Sequence, residues 1–92
     1  MTFTWDERKN KENKAKHGIG FEEAQDAFFD PYRLIISDDA HSTKEEARYF
    51  CLGLIDGDIA TVRFTIRAST IRIFGAGYWR KGRKRYEQER KI

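Results

Sequence analysis

Three arginines, Arg63, Arg67 and Arg72, lie in the stretch IATVRFTIRASTIRIF, Ile59 to Phe74, at spacings that put them on one face of a β-hairpin. Thr61, Arg63, Thr65 and Arg67 alternate with Ala60, Val62, Phe64 and Ile66. Successive strand side chains point to opposite faces, so one face is apolar and the other carries hydroxyl and guanidinium groups. Beyond a tight turn at Ala68-Ser69, Thr70 and Arg72 alternate with Ile71 and Ile73, and Phe74 breaks the alternation. With the hairpin in register, the arginines share an open surface whose reverse is core. Guanidinium groups fixed on a rigid sheet make a phosphate-binding surface, because each presents a planar fork of donors. The same pattern also describes an ordinary solvated sheet face.

The other reactive residue types narrow the chemistry. His17, His41 and Cys51 are the only nitrogen or sulfur ligands and have no metal-site spacing, so no metal and no cofactor is expected. There is no phosphate loop, dinucleotide fingerprint or Ser-His-Asp order. Cys51, inside the apolar run Tyr49 to Leu54, reads as core filling. What remains is acid–base and electrostatic chemistry on phosphate. RNA is cut this way when its own 2′-OH attacks the adjacent phosphorus. A protein then removes one proton, stabilises a dianionic phosphorane and protonates the leaving 5′ oxygen. Arg63, Arg67, Arg72 and Arg80 are the cations for that task, and His17, His41 and Glu45 the proton carriers. Tyr78 and Trp79 are available to stack on bases. Each has a structural reading beside it. His17 caps a helix C-terminus, His41 orders its loop, Glu45 pairs with Arg48, and Trp79 shares a core-facing helix stripe with Tyr86.

These residues need elements to hold them. Thr2 to Trp5 reads as an edge or first strand. Asp6 then caps a helix running to about Lys16, with Gly18 as its stop. Between Asp6 and His17 the only apolar residue is Ala15, so this helix has almost nothing to bury. Its Lys9 and Lys16, seven apart, share one face. Gly20 to Asp30 reads as a second helix, with Phe21, Ala24, Ala27 and Phe28 as its apolar stripe, ended by Asp30-Pro31. Strands follow at Tyr32 to Ser37 and Arg48 to Ile55, separated by the polar loop SDDAHSTKEEA. Asp56-Gly57-Asp58 is a hairpin turn leading into the arginine strand. Gly75-Ala76-Gly77 is expected to break the last strand, and Trp79 to Lys91 forms a final helix that Gly82 weakens. The sequence order predicts an α+β fold: an antiparallel meander covered on one face by the Phe21/Phe28 helix.

With 92 residues the chain suits one domain spanning 1–92. The net charge is +3 but segregated. From Glu22 to Asp58, ten acids face three bases, whereas from Ile59 onward ten bases face two acids, Glu87 and Glu89. A basic half favours a polyanionic partner. The lone cysteine, the lack of an apolar leader and the lack of a membrane-length apolar run point to a cytoplasmic protein without a membrane partner.

Four segments then carry a resemblance: FTWDERKNKENKAKHGI (Phe3 to Ile19), FEEAQDAFFDP (Phe21 to Pro31), DDAHSTKEEAR (Asp38 to Arg48) and FTIRASTIRIF (Phe64 to Phe74). In this order, across nearly the whole chain, they resemble the BrnT toxins of bacterial type II toxin–antitoxin systems. The resemblance implies a RelE-like ribonuclease acting without metal: a small antiparallel sheet of three to five strands, N-terminal helices on one face and a C-terminal helix. It implies a BrnA-like ribbon-helix-helix antitoxin, an assembly of two toxins with two antitoxins, and contact with operator DNA only through the antitoxin. Lys9, His17, His41, Glu45, Arg48, Arg63 and Arg67 match the family pattern. The expected catalytic set is His17, Glu45, Arg63, Arg67 and Arg80; the expected RNA-binding set is Lys9, His41, Arg48, Arg72 and Trp79. The chain departs from the family after the IRI strand, where Gly77 stands in place of a common arginine. That departure motivates the alternative of a non-catalytic module that binds the antitoxin and acts as a co-repressor.

Overall fold

Asp6 starts the first helix. In a computed structural model, which describes residues 1–90, its carboxylate accepts the backbone N–H groups of Arg8 at 2.9 Å and Lys9 at 3.4 Å. The helix, α1 (Glu7–His17), ends at Gly18, whose φ of 72° is the left-handed conformation that glycine adopts without strain. As its composition requires, α1 buries none of its residues. Two asparagine amides fasten it instead. Asn10 Oδ1 accepts the Phe21 N–H at 2.7 Å. Asn13 donates to the carbonyls of Ile19 (2.8 Å) and Ala76 (2.9 Å) and accepts the Ala76 N–H (3.2 Å).

The expected second helix is two pieces, α2 (Phe21–Ala24) and a 3₁₀ segment (Gln25–Phe29). Its stripe behaves as the spacing demands: Phe21, Ala24, Ala27 and Phe28 are all buried. The 3₁₀ backbone lies directly on the sheet, and a Cβ at Gly53 would overlap the backbone of Ala27.

The strands are β1 (Phe3–Thr4), β2 (Leu34–Ser37), β3 (Arg48–Ile55), β4 (Asp58–Arg67) and β5 (Thr70–Gly77), in the spatial order β1-β5-β4-β3-β2. β2 to β5 form the expected antiparallel meander, and β1 adds in parallel beside β5, giving a mixed α+β sheet. Both hairpin turns carry positive φ at two residues, Asp56 (48°) with Gly57 (83°) and Ala68 (48°) with Ser69 (65°). This is the twist that two-residue hairpin loops require.

β1 is shorter at both ends than the sequence suggests, the last helix begins at Arg80 rather than Trp79, and two other boundaries differ by more. β2 begins at Leu34 rather than Tyr32. β5 does not break at Gly75 but continues through Gly77, with Thr61 opposite Gly77 and Arg63 opposite Gly75. Glycine is tolerated there because the space above each is filled from elsewhere, as described below. The last helix, α3 (Arg80–Arg90), keeps Tyr86 buried; Lys91, where the sequence ends this helix, lies outside the described residues.

Two cores result. The larger packs Phe21, Ala24, Ala27 and Phe28 against Cys51, Val62, Phe64 and Ile73. Burial pushes the Cys51 thiol up to about 12, which keeps it protonated and inert, as expected of a core cysteine. The smaller lies on the opposite sheet face, where Tyr86 of α3 covers Leu52 and Ile59. The arginine-bearing face is therefore only half open: α3 covers its Ile59 end and leaves its Arg67 end free. Asp30 ties the two sides together. Burial alone would raise its carboxyl, but hydrogen bonds from the Tyr86 hydroxyl (2.5 Å), the Leu54 N–H (2.9 Å) and the Tyr32 N–H (2.9 Å) hold it below the usual range.

Candidate active site

β4 pairs residue by residue with β3 from Asp58 to Thr65, so Arg63, Thr65 and, beyond them, Arg67 share a face, while Ile66 of the apolar face is left exposed at the strand's end. Arg48 and Arg72 stand opposite Thr65 on the two flanking strands and so join that face. Four of the sequence-selected arginines are thereby brought onto one surface. The register between β4 and β5 shifts at Arg63/Phe64, leaving Phe74 as the extra residue of a bulge. Its ring becomes the centre of a cation cluster. The Arg48 guanidinium lies 4.2 Å from the ring centroid, that of Arg67 5.7 Å, and Lys9 Nζ of α1 5.8 Å.

Glu46 ties this cluster down. It accepts from Arg67 Nε at 2.7 Å and from Arg48 at 3.2 Å. The Arg67 hydrogen bond holds the Glu46 carboxyl below its ordinary range and in turn raises Arg67. Glu45, the acid expected here, is exposed and forms no ion pair among the described residues.

Arg63 is different. It is exposed, has no carboxylate partner among the described residues, and lies along β5 so that a Cβ at Gly75 would be 3.2 Å from its Nε. It stands where two recesses meet. On one side a recess of only about 10 Å³ is lined by Asp38, His41, Arg48, Arg63 and Phe74. On the other, a cleft of about 450 Å³ is lined by Lys16, His17, Phe50, Arg63 and Trp79.

The loop between β2 and β3 builds the first recess. Ser42 Oγ donates to the Asp38 carbonyl (2.7 Å) and accepts the Arg48 N–H (2.9 Å), and the Asp38 N–H donates to the Arg48 carbonyl (2.8 Å). Ser42 thus orders this loop together with His41, whose backbone N–H donates to the Asp38 carbonyl at 3.3 Å. His41 is left to present its ring, with Nδ1 at 2.8 Å from the buried Asp38 carboxylate. A carboxylate at Nδ1 favours a proton there and leaves Nε2 as the ring's free nitrogen. In the second cleft, His17 ends α1 and packs edge-on against Trp79, ring centroids 5.1 Å apart. Trp79 rests on Gly77, where a Cβ would come within 2.6 Å of the indole. The glycine is thus the seat of the tryptophan.

Of the other expected residues, Arg80 lies apart, in a recess with Asp58, Tyr78 and Glu87. The residues that sequence reading passed over are Glu46, Phe74 and Asp38. Phe74 did leave a signal, since the apolar pair Ile73-Phe74 breaks the alternation just before glycine, as one extra residue in a strand does. Among the described residues no helix is long and apolar enough to cross a membrane.

Residues 5–82, covering strands β2 to β5, both recesses and the start of α3, match the family described as the ribonuclease toxin, BrnT, of type II toxin–antitoxin systems. No curated protein matches the chain.

Proposed function

The chain belongs to the BrnT family of ribonuclease toxins of type II toxin–antitoxin systems, and from that premise we propose that it is a metal-independent endoribonuclease that cuts RNA through its own 2′-OH, with Arg63 as the principal stabiliser of the phosphorane. The family implies an RNA substrate and a protein antitoxin. The observation that carries the mechanism is the position of Arg63, a guanidinium with no carboxylate partner among the described residues, between two recesses that each hold a histidine. An in-line displacement needs its base and its acid on opposite sides of the phosphorus. His41 and His17 flank Arg63 in that sense. One takes the 2′-OH proton as O2′ bonds to phosphorus. The other protonates O5′ as the P–O5′ bond breaks. The products are a 2′,3′-cyclic phosphate and a 5′-hydroxyl. Arg48, Arg67 and Lys9 raise the local positive potential, and Glu46 holds the two arginines in place.

Purified protein is expected to cut RNA in the presence of EDTA and to leave cyclic or 3′-phosphate ends. Cleavage abolished by EDTA, or products ending in a 3′-hydroxyl, would overturn the mechanism. The partner is proposed to be a BrnA-like ribbon-helix-helix antitoxin, in an assembly of two toxins and two antitoxins that meets operator DNA through the antitoxin, in the cytoplasm. The mass of the co-purified complex tests the stoichiometry.

A further inference from the structure

We propose that the cleft between Phe50 and Trp79 seats a nucleobase next to the phosphate held at Arg63, and so sets which phosphodiester of the strand is cut. The inference rests on the RNA-cleaving reading and adds a base-binding site to it. The two recesses that meet at Arg63 differ greatly in volume. The His41 side, at about 10 Å³, has room for roughly one water and none for a base. The other side, at about 450 Å³, is within the range of small-molecule sites.

The chemistry of the larger cleft fits a nucleotide. Its charged lining residues are Lys16 and Arg63, with His17 beside them, and among the described residues no carboxylate lines it. Its aromatic walls are Phe50 and Trp79. Trp79 is 41% exposed as a residue, an unusual position for the largest apolar side chain. It is nonetheless fixed in place. Gly77 lies beneath it and His17 holds its edge. An immobilised, half-exposed tryptophan loses little entropy when a base stacks on it, and every base offers a π-face. Asn13 also lines the cleft, but both ends of its amide are engaged by backbone groups of Ile19 and Ala76. The other polar groups lining the cleft beside Arg63 are Lys16, His17 and Thr61, whose buried hydroxyl has no hydrogen-bond partner among the described residues.

The test uses the full chain carrying Trp5→Phe, so that Trp79 is the sole fluorescent indole. The probe is a 2′-O-methyl RNA dodecamer, which cannot be cut by 2′-OH attack, and the same backbone with abasic residues. The dodecamer is expected to quench Trp79, and Trp79→Ala to weaken its binding roughly 5- to 150-fold, the equivalent of one stacked base. Trp79→Phe should recover most of that loss. The abasic strand should bind wild-type protein no better than the dodecamer binds Trp79→Ala. On cleavable RNA, Trp79→Ala should raise KM more than it lowers kcat and should scatter the cut positions. Equal binding of abasic and intact strands, or an unchanged cleavage map in folded Trp79→Ala, would overturn the base site while leaving catalysis standing. Quenching by the dodecamer in a protein that cuts no RNA would keep the base site and remove the catalytic reading.

Discussion

His41 Nδ1 faces both carboxylate oxygens of Asp38, at 2.8 and 3.0 Å, and that carboxylate is almost wholly buried beneath the loop. The pair fixes how the ring meets the recess beside Arg63. If His41 transfers a proton, His41→Ala should lower kcat by about 10²–10⁴-fold with a smaller change in KM. Asp38→Asn should lower kcat by less, by releasing the ring orientation, and the double variant should be no slower than His41→Ala alone. Single-turnover kinetics with circular dichroism on each variant would check this. Additive losses would show that the two residues act separately.

Arg63 and Arg67 sit four residues apart on one strand face, yet among the described residues only Arg67 of the two has a carboxylate partner, Glu46 at 2.7 Å. Arg63→Ala should therefore cost about 10²–10³-fold in kcat, as loss of a donor aimed at developing charge does. Arg67→Ala should cost markedly less. Gly75→Ala, which crowds the Arg63 guanidinium from 3.2 Å, should fall between them without a loss of fold. Equal effects of the two arginine variants in cleavage assays would place the phosphate over Phe74 instead.

Gly77 is the seat of Trp79, and a Cβ there would lie 2.6–2.9 Å from three carbons of the indole. Gly77→Ala should destabilise the protein by about 1–3 kcal/mol, in the manner of an overpacked site. It should also shift Trp79 emission to the red as the ring is lifted into water. Gly77→Arg should do both more strongly. Urea titration followed by fluorescence reads both effects, and an unchanged spectrum would mean that the ring had another resting place.

Asp30 accepts from Tyr86, Leu54 and Tyr32, linking α3 to the sheet and the 3₁₀ segment. Tyr86→Phe should cost about 1.5–3 kcal/mol, the range for a hydrogen bond to a charged group. The pH dependence follows from the two shifts. The Asp30 carboxyl is held below its ordinary value, so its contribution is present above about pH 4 and is lost as pH falls through the lowered folded value. The Tyr86 hydroxyl is raised, by burial first and then by Asp30. Its contribution is present below about pH 10 and is lost as pH rises through the raised folded value. Stability measured against pH should fall at both ends in the wild type and lose the alkaline limb in Tyr86→Phe.

Much of the fold was legible because it depends on periodicity and on residues with restricted backbones. Alternation in β4, the Phe21/Phe28 stripe, the Asp6 cap, the Gly18 stop and the two hairpin turns are all properties of short segments. The parallel placement of β1 and the splitting of the second helix were not legible. The first is a choice between edges of a finished sheet, and the second accompanies a close approach between Ala27 and Gly53, residues far apart in the chain.

By itself the sequence determined the apolar and charged faces, the family and the arginine-rich strand, since each is encoded by residue type at fixed spacing. Only the tertiary structure decided which of those charges are engaged. Glu46 rather than Glu45 meets Arg48 and Arg67 because the loop folds back through Ser42. Phe74 joins the cations because one strand carries a bulge. Arg63, without a carboxylate partner among the described residues, lies between a water-sized recess and a much larger cleft because α1, the β2–β3 loop and the segment at Trp79 converge there from three separate parts of the chain. Spacing along a strand fixes which way a side chain points, but what it meets is set by long-range packing.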